Sequence, residues 1–363
     1  MIDLQGPAQA DHGRTMTATR YHGRRAVQIE NAHVRVTVLQ EGGHIAEILD
    51  KASGVNPLWT PPWPTMEPSA HGSGLEHTYG GGSDARLLAG IMGHNLCLDI
   101  FGPPTDDEFL AGLGAHGEAP VAPYELRIDC DALIASAHFP IAGLVFERRI
   151  ALRDSAAIVR ETLTNIAAAD RTIGWTEHVT LGPPFLEPGS TQFRASATRS
   201  KVFESTFGAD DYLTPAAEFD WTMAPTLDGR NVDLQVFTDA AHSSAYTAHL
   251  MDHGRSHAYF VAFSPGLGVM FGYSWRRVDF PWMGIWEENL SRLQPPWNGR
   301  TIARGMEFGV SPMPETRRAM IERGVLFGTP CFRLVPAGAS ITVEYCAIVR
   351  RAARIPESLD WPA

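Results

Sequence analysis

Two histidines and one glutamate stand in local contexts that suit acid–base chemistry. His116 lies between small residues and before a glycine, which is typical of an exposed turn that comes close to a ligand. His178 lies in a stretch that alternates like a strand, where Thr176, His178 and Thr180 share one face. Glu307 lies between apolar neighbours and is bounded by glycines. Imidazole and carboxyl groups can both be tuned to transfer protons near neutral pH.

Each of these residues also has an ordinary structural interpretation. A single histidine or glutamate on a strand is more often structural or solvent-facing, and His116 could simply cap a turn. The sequence has no nucleotide-binding glycine loop and no nucleophile elbow. We therefore expect no organic cofactor. Four residues could be metal ligands but match no known metal-binding spacing: His71, Glu76, His77 and His94. We therefore expect no metal, and we expect these residues to form hydrogen bonds within their loop.

The elements that must position these residues are predicted to be strands. The 363-residue chain has 34 glycines and 26 prolines, a composition suited to short strands joined by turns. Period-two alternation is clearest over 34–38, in a hairpin over 144–163 and in a last strand over 341–349. Short helices are predicted after Thr105 and over 314–323. We therefore predict an all-β fold, a large antiparallel β-sandwich with a few short helices.

Composition and charge exclude several classes of partner. The formal net charge of −11 argues against nucleic acid or an anionic membrane, and disfavours a strongly anionic substrate unless local arginines override the mean. Residues 1–25 are predicted to form a loose lead-in, and they contain no apolar run. We therefore expect no secretory signal and a cytoplasmic location. A periplasmic protein with a trimmed signal is the alternative. The four cysteines are predicted to be buried thiols rather than disulfides.

The order of these features resembles the aldose 1-epimerase, or galactose mutarotase-like, family. The strand, glycine turn and strand over 34–50 resemble the first hairpin of that family. His116 resembles its first active-site histidine, and His178 resembles its second. Glu307 resembles its catalytic glutamate, shortly before the final strands and a Pro-Ala-Gly turn.

This resemblance implies a β-supersandwich, here one domain over residues 26–355, with a sugar cleft on one sheet. It implies exchange between the α and β anomers of a free aldose, without metal or cofactor. Ring opening takes a proton from the C1 hydroxyl and gives one to the ring oxygen. The resemblance implies Glu307 as the base, His178 as the acid and His116 as the residue that holds or polarises the substrate. A small sugar is the implied partner, and we expect a monomer or a homodimer.

Five further residues are predicted to contact the sugar. Trp286 could stack on a pyranose face, with core packing as the alternative, and Glu288 follows it at a predicted strand end. His94 and Asn95 are predicted hydrogen-bonding partners. Arg86, after the glycine-rich loop, could bind a carboxylate or phosphate. Three other arginines could also bind a carboxylate or phosphate: Arg276, Arg292 and Arg300. The alternative interpretation is that they form ion pairs at the surface.

The sequence departs from the family pattern beside the second histidine. The usual Asn-His pair appears here as Glu177-His178. The departure puts the substrate and the reaction in question, so two other functions stay open. One is a non-catalytic carbohydrate-binding protein, and the other is a different sugar enzyme, a lyase or an isomerase, on the same scaffold.

Overall fold

The structure is a computed structural model that describes residues 15–362. Strands dominate this range, as the short alternating segments predict. The first twelve strands are β1 (Thr15–Tyr21), β2 (Arg24–Glu30), β3 (Val34–Leu39), β4 (Ile45–Asp50), β5 (His94–Asp99), β6 (Glu125–Asp129), β7 (Ala132–Phe139), β8 (Leu144–Arg153), β9 (Ala156–Asn165), β10 (Arg171–Leu181), β11 (Gln192–Ala195) and β12 (Ala197–Val202). The others are β13 (Glu218–Asp220), β14 (Met223–Pro225), β15 (Asn231–Asp233), β16 (Ser243–Met251), β17 (His257–Ser264), β18 (Val269–Arg276), β19 (Trp282–Asn289), β20 (Ile302–Gly309), β21 (Val325–Leu326), β22 (Thr329–Pro330), β23 (Arg333–Val335) and β24 (Ser340–Arg351).

Two antiparallel sheets form the body of the fold. The larger sheet has twelve strands in the order β1-β2-β3-β4-β5-β10-β20-β19-β16-β12-β13, and β23 pairs with one end of β10. The smaller sheet has eight strands in the order β11-β17-β18-β24-β9-β8-β7-β6. The predicted all-β antiparallel sandwich is confirmed.

A hydrophobic core lies between the two sheets. Alternation along β8 buries Phe146 and Ile150 in this core and exposes Glu147. β10 differs, because it is buried on both faces. The smaller sheet covers one face, and a second apolar cluster that includes Trp63 and Leu87 covers the other. The shared core supports the proposal of one domain.

The helices are short and lie in the connections. They are α1 (Glu76–Tyr79), α2 (Ala85–Gly90), α3 (Asp106–Leu110) and α4 (Arg317–Arg323), with a 3₁₀ turn at Pro68–Ala70. The capping box predicted at Thr105 is confirmed, since the Thr105 and Glu108 side chains each accept from the other residue's backbone N–H. α1 and α2 fall in segments predicted as loop. They are too short to show a helical period, and packing on the large sheet stabilises such helices.

The predicted lead-in over residues 1–25 is wrong from residue 15 onward. β1 pairs with β2 in a tight hairpin and β2 pairs with β3, so backbone hydrogen bonding orders a segment that lacks an apolar run. Residues 1–14 lie outside the described residues. Cys97, Cys331 and Cys346 are buried free thiols as predicted, whereas Cys130 is exposed. Within residues 15–362, no helix has the length and apolar character needed to cross a bilayer.

Candidate active site

Strand register sets polar residues side by side across the middle of the large sheet. His178 on β10 lies opposite Asn95 on β5 and, on its other side, opposite Glu307 on β20. Gly284 on β19 lies opposite Glu307 in turn. Neighbouring strands are about 4.8 Å apart, so residues far apart in sequence become adjacent on one face.

His116 reaches the same face from the loop between α3 and β6. Its φ is 65° and that of Gly117 is 82°. A β-carbon on Gly117 would lie 2.1 Å from the Leu98 carbonyl oxygen, so only glycine allows the loop to approach β5. The Nδ1–H of His116 donates to the Phe101 carbonyl, which leaves Nε2 as an acceptor. The ring centroids of His116 and His178 are 5.4 Å apart, edge to face.

His116, His178 and Glu307 line one hollow on the outer face of the large sheet. The hollow has about 530 Å³ of empty space, a figure that includes the open solvent at its mouth. Apolar side chains from α2 and the residue after it form one wall: Leu87, Leu88 and Ile91. Most of the other lining side chains are aromatic or charged: Asp84, Phe101, Phe207, Tyr246, Trp286, Arg292 and Trp297, with Pro314 beside them.

Burial favours the uncharged forms of Glu307, His116 and His178. Glu307 is 3% exposed, and burial raises its pKa to about 8 despite the opposing charge of Arg292. Burial lowers the pKa of His116 to about 4. Burial and the neighbouring His116 lower the pKa of His178 well below its ordinary value. At neutral pH the carboxyl group is therefore protonated, and both imidazoles are neutral.

Glu307 and His178 lie within reach of proton transfer. Oε1 of Glu307 is 3.1 Å from Nε2 of His178, and Nδ1 of His178 is 3.1 Å from Oγ1 of Thr180. The Glu307–His178 contact lacks the alignment of a hydrogen bond, so Oε1 has no hydrogen-bond partner among the described residues. Other buried polar atoms on this face also lack partners there: Asn95 Nδ2, Thr176 Oγ1 and Trp286 Nε1. Buried polar atoms are normally paired, so the two that line the hollow, Glu307 Oε1 and Trp286 Nε1, suit a polar ligand.

Glu288 supports the hollow from behind and does not line it, which corrects its predicted contact with the sugar. Its Oε1 accepts the backbone N–H groups of Ser291 and Arg292. Its Oε2 lies 3.4 Å from Nε of Arg292. Glu288 follows Trp286 on β19, as predicted, but Arg292 lines the hollow and Glu288 does not.

Two other predicted contacts also lie elsewhere. His94 and Asn95 are adjacent on β5, so only Asn95 shares the face of His178. Arg86 lines a neighbouring cavity with His71, and its Nε donates to the Pro68 carbonyl at 3.1 Å. Successive residues of α2 point in different directions, which turns Leu87 and not Arg86 toward the hollow. Within residues 15–362, no group of three or more His, Cys, Asp or Glu side chains is arranged to hold a metal ion.

Glu177, on the opposite face of β10 from His178, belongs to a buried polar network between the sheets. Arg148 of the smaller sheet donates to Glu161 at 2.6 Å as well as to Glu177. Burial and the neighbouring Glu177 raise the pKa of Glu161 to about 8. The network ties β10 to the other sheet directly behind His178. Four donors satisfy the Glu177 carboxylate: Trp175 Nε1 at 2.9 Å, Arg148 at 3.1 Å, His94 Nε2 at 2.8 Å and Tyr345 OH at 3.1 Å.

Sequence reasoning did not find the α2 wall and did not distinguish Arg292 from the other arginines. α2 has six residues, which is too short for a periodic signal. Arg292 packs against Phe207, Trp286 and Trp297, and the first of these comes from a distant segment. The two tryptophans that flank Arg292 along the chain are the signal that could have identified it.

Comparison with known proteins defines the fold. No protein-family model and no curated protein matches the sequence. A candidate aldose 1-epimerase from Klebsiella pneumoniae superposes on 95% of this chain and 89% of its own, at a TM-score of 0.65 and 12% identity. A galactose mutarotase-like protein from Clostridium acetobutylicum superposes on 93% of this chain and 99% of its own, at a TM-score of 0.60 and 11% identity. A galactose mutarotase related enzyme from Lactobacillus acidophilus superposes on 90% of this chain and 98% of its own, at a TM-score of 0.55 and 12% identity.

The chain therefore has the fold of the galactose mutarotase-like proteins, as its sequence predicted. Identities of 11–12% carry the fold alone. One fold hosts several functions, so the function has to be argued from the chemistry of the hollow.

Proposed function

We propose that this protein catalyses mutarotation of a free sugar, the exchange of its α and β anomers, by general acid–base catalysis. The observation that carries the proposal is the Glu307–His178 contact of 3.1 Å inside a hollow that His116 also lines. His116, beside this pair, presents a neutral Nε2 that can accept a hydrogen bond from a sugar hydroxyl. Solved neighbours with the same fold are named for the same chemistry.

The pair supplies both proton transfers of ring opening. Glu307 and His178 share one proton, so one member accepts the proton of the C1 hydroxyl while the other protonates the ring oxygen. The bond between C1 and the ring oxygen breaks, and an open-chain aldehyde forms. Rotation about C1–C2 and the reverse transfers close the ring on the other face. The pair then holds its single proton again, and no co-reactant is consumed.

The resting proton position differs from the roles that the resemblance implies. The raised pKa of Glu307 and the lowered pKa of His178 place the proton on the carboxyl group. The other protonation state of the pair, with the proton on His178, is the ionic form in which Glu307 is the base and His178 the acid. Both forms carry the same net charge, so the pair titrates as a unit.

The pH dependence of kcat/KM is expected to show one alkaline limb. The pair loses its proton with an apparent pKa near that of Glu307, about 8, so activity falls above this pH. The imidazoles are already neutral at pH 6.5, so activity stays level through the ordinary pKa of histidine. The measurement is anomer exchange by NMR at each pH, after subtraction of the buffer rate. A loss of activity centred near pH 6.5 would contradict the neutral-imidazole assignment.

Gly305→Ala is expected to reduce the exchange rate and leave the fold intact. A β-carbon at position 305 would lie 2.2 Å from Oε1 of Glu307, so the carboxyl group has to turn away. A displacement of about 1 Å at a reacting group typically costs about 10²-fold in rate. The rate and the thermal midpoint are measured together. Gly72→Ala is the matched control, since nothing lies within 4 Å of its added β-carbon.

The direct test of the proposal is anomer exchange by the purified protein with a panel of monosaccharides. Acceleration over buffer for at least one sugar is the expected result. A new unsaturated or ketose product would instead indicate a lyase or a sugar isomerase, and tight sugar binding without exchange would indicate a binding protein. The cytoplasmic location and the monomer or homodimer state stay predictions.

A further inference from the structure

Arg292 is held at the hollow by an aromatic cage. Its guanidinium carbon lies 4.8 Å from the ring centroid of Trp297, 5.4 Å from that of Trp286 and 5.5 Å from that of Phe207. The side chain is 21% exposed. Aromatic faces take up the faces of a guanidinium and leave its N–H groups free along the edge. The cage therefore holds the guanidinium group of Arg292 at the wall of the hollow.

The charge of Arg292 is only partly paired within the protein. Glu288 is the one carboxylate in ion-pair contact with it among the described residues, through Nε at 3.4 Å. Oε1 of Glu288 is already occupied by two backbone N–H groups. Asp84 lines the hollow but makes no ion pair with Arg292. The two terminal nitrogens of Arg292 donate no hydrogen bond to any residue within 15–362. A largely buried cation with a free donor edge favours an anion as its partner.

We propose that the hollow takes a uronate, a sugar whose carboxylate is attached to the carbon next to the ring oxygen, and that Arg292 binds this carboxylate. The proposal rests on the proposed mutarotation and names its substrate class. In a uronate the carboxylate is two bonds from the ring oxygen. The group that binds it must therefore line the same small hollow as the acid that protonates that oxygen. Arg292 and Glu307 meet this condition.

A carboxylate fits this position better than a phosphate. One planar guanidinium edge pairs with one planar carboxylate through two parallel hydrogen bonds. A phosphate carries nearly two charges and favours more than one cation, and Arg292 is the one Arg or Lys lining the hollow among the described residues. The net charge of −11 disfavours anions at long range. That field is screened beyond about 8 Å, whereas a contact in the hollow is not.

The test is calorimetric binding to the purified full chain of matched probes: galacturonate, glucuronate and mannuronate, their neutral parent hexoses and the hexose 6-phosphates. At least one uronate is expected to bind about 10–100-fold more tightly than its parent, as charge-assisted hydrogen bonds do. Arg292→Gln is expected to remove this preference, so that each uronate and its neutral parent bind with similar affinity. Arg276→Gln is the control and is expected to keep the preference, because this arginine is 54% exposed at the end of β18 in the smaller sheet.

Equal binding of each uronate and its parent would overturn the inference. So would tighter binding of a 6-phosphate than of any uronate, or a preference that survives in Arg292→Gln. Anomer exchange is measured with the same probes. If the uronate preference depends on Arg292 but no probe undergoes accelerated exchange, the inference on ligand class stands and the proposed function fails. If neutral hexoses exchange rapidly without any uronate preference, the proposed function stands and the inference fails.

Discussion

Glu307→Gln is expected to lower the rate of anomer exchange by about 10²–10⁴-fold, the usual contribution of a proton-transfer group. Glutamine keeps the size of the side chain but carries no proton that can be released to a ring oxygen. The carboxyl group is 3% exposed with an unpartnered Oε1, so its replacement removes the acid or base and little packing. Exchange NMR at pH 7 measures the rate. The alkaline limb near pH 8 is expected to disappear with it.

Glu344→Gln is the matched control for this substitution. Glu344 lies on β24, where its side chain is 44% exposed and pairs with Arg160 at 3.6 Å. Its exchange rate is expected to equal that of the wild type. If Glu307→Gln also exchanges anomers at the wild-type rate while remaining folded, Glu307 is not part of the chemistry.

Arg148→Met is expected to lower the free energy of unfolding by about 3–5 kcal/mol, the cost of removing one partner from a buried ion pair. Arg148 is the cation that joins Glu161 and Glu177, and it also donates to the Gly43 carbonyl at 2.9 Å. Methionine fills much of the space but leaves both carboxyl groups without their charged donor. Urea unfolding followed by fluorescence measures the loss. A decline of exchange activity in the folded fraction is also expected, because β10 carries His178.

Arg149→Met is the control for the network, since this neighbouring arginine is 36% exposed and pairs with surface aspartates. Its unfolding free energy is expected to change by less than about 1 kcal/mol. A triple variant, Arg148→Met with Glu161→Leu and Glu177→Leu, is expected to regain most of the stability, because apolar residues can replace a buried ionic group. A stable Arg148→Met variant would show that the network contributes little.

The strands and the face of His178 were predictable because they follow local rules. Alternation sets the direction of each side chain on a strand, so Thr176, His178 and Thr180 were placed together and Glu177 on the other side. That alternation persists in β10 although both faces are buried. The capping box at Thr105 is equally local, since it involves residues three apart.

The predictions that the structure does not support depend on contacts between segments that are distant in sequence. His94 was paired with Asn95 as a sugar contact, yet neighbours on a strand face opposite sides, and only the position of the smaller sheet shows that His94 is enclosed. Arg292 gains its importance from Phe207, which is distant along the chain. The register that sets Glu307 opposite His178 is likewise a long-range fact that local pattern could not supply, although the family resemblance implied that both residues act at one cleft.

A crystal structure with a bound monosaccharide would show directly whether sugar chemistry takes place in this hollow. We expect the C1 hydroxyl and the ring oxygen to lie about 2.6–3.2 Å from the Glu307 carboxyl group and Nε2 of His178. His116 is expected to contact a hydroxyl group through Nε2. A sugar bound in another cavity, such as the one beside Arg277 and Arg333, or one whose C1 faces away from Glu307, would contradict the proposed mutarotation.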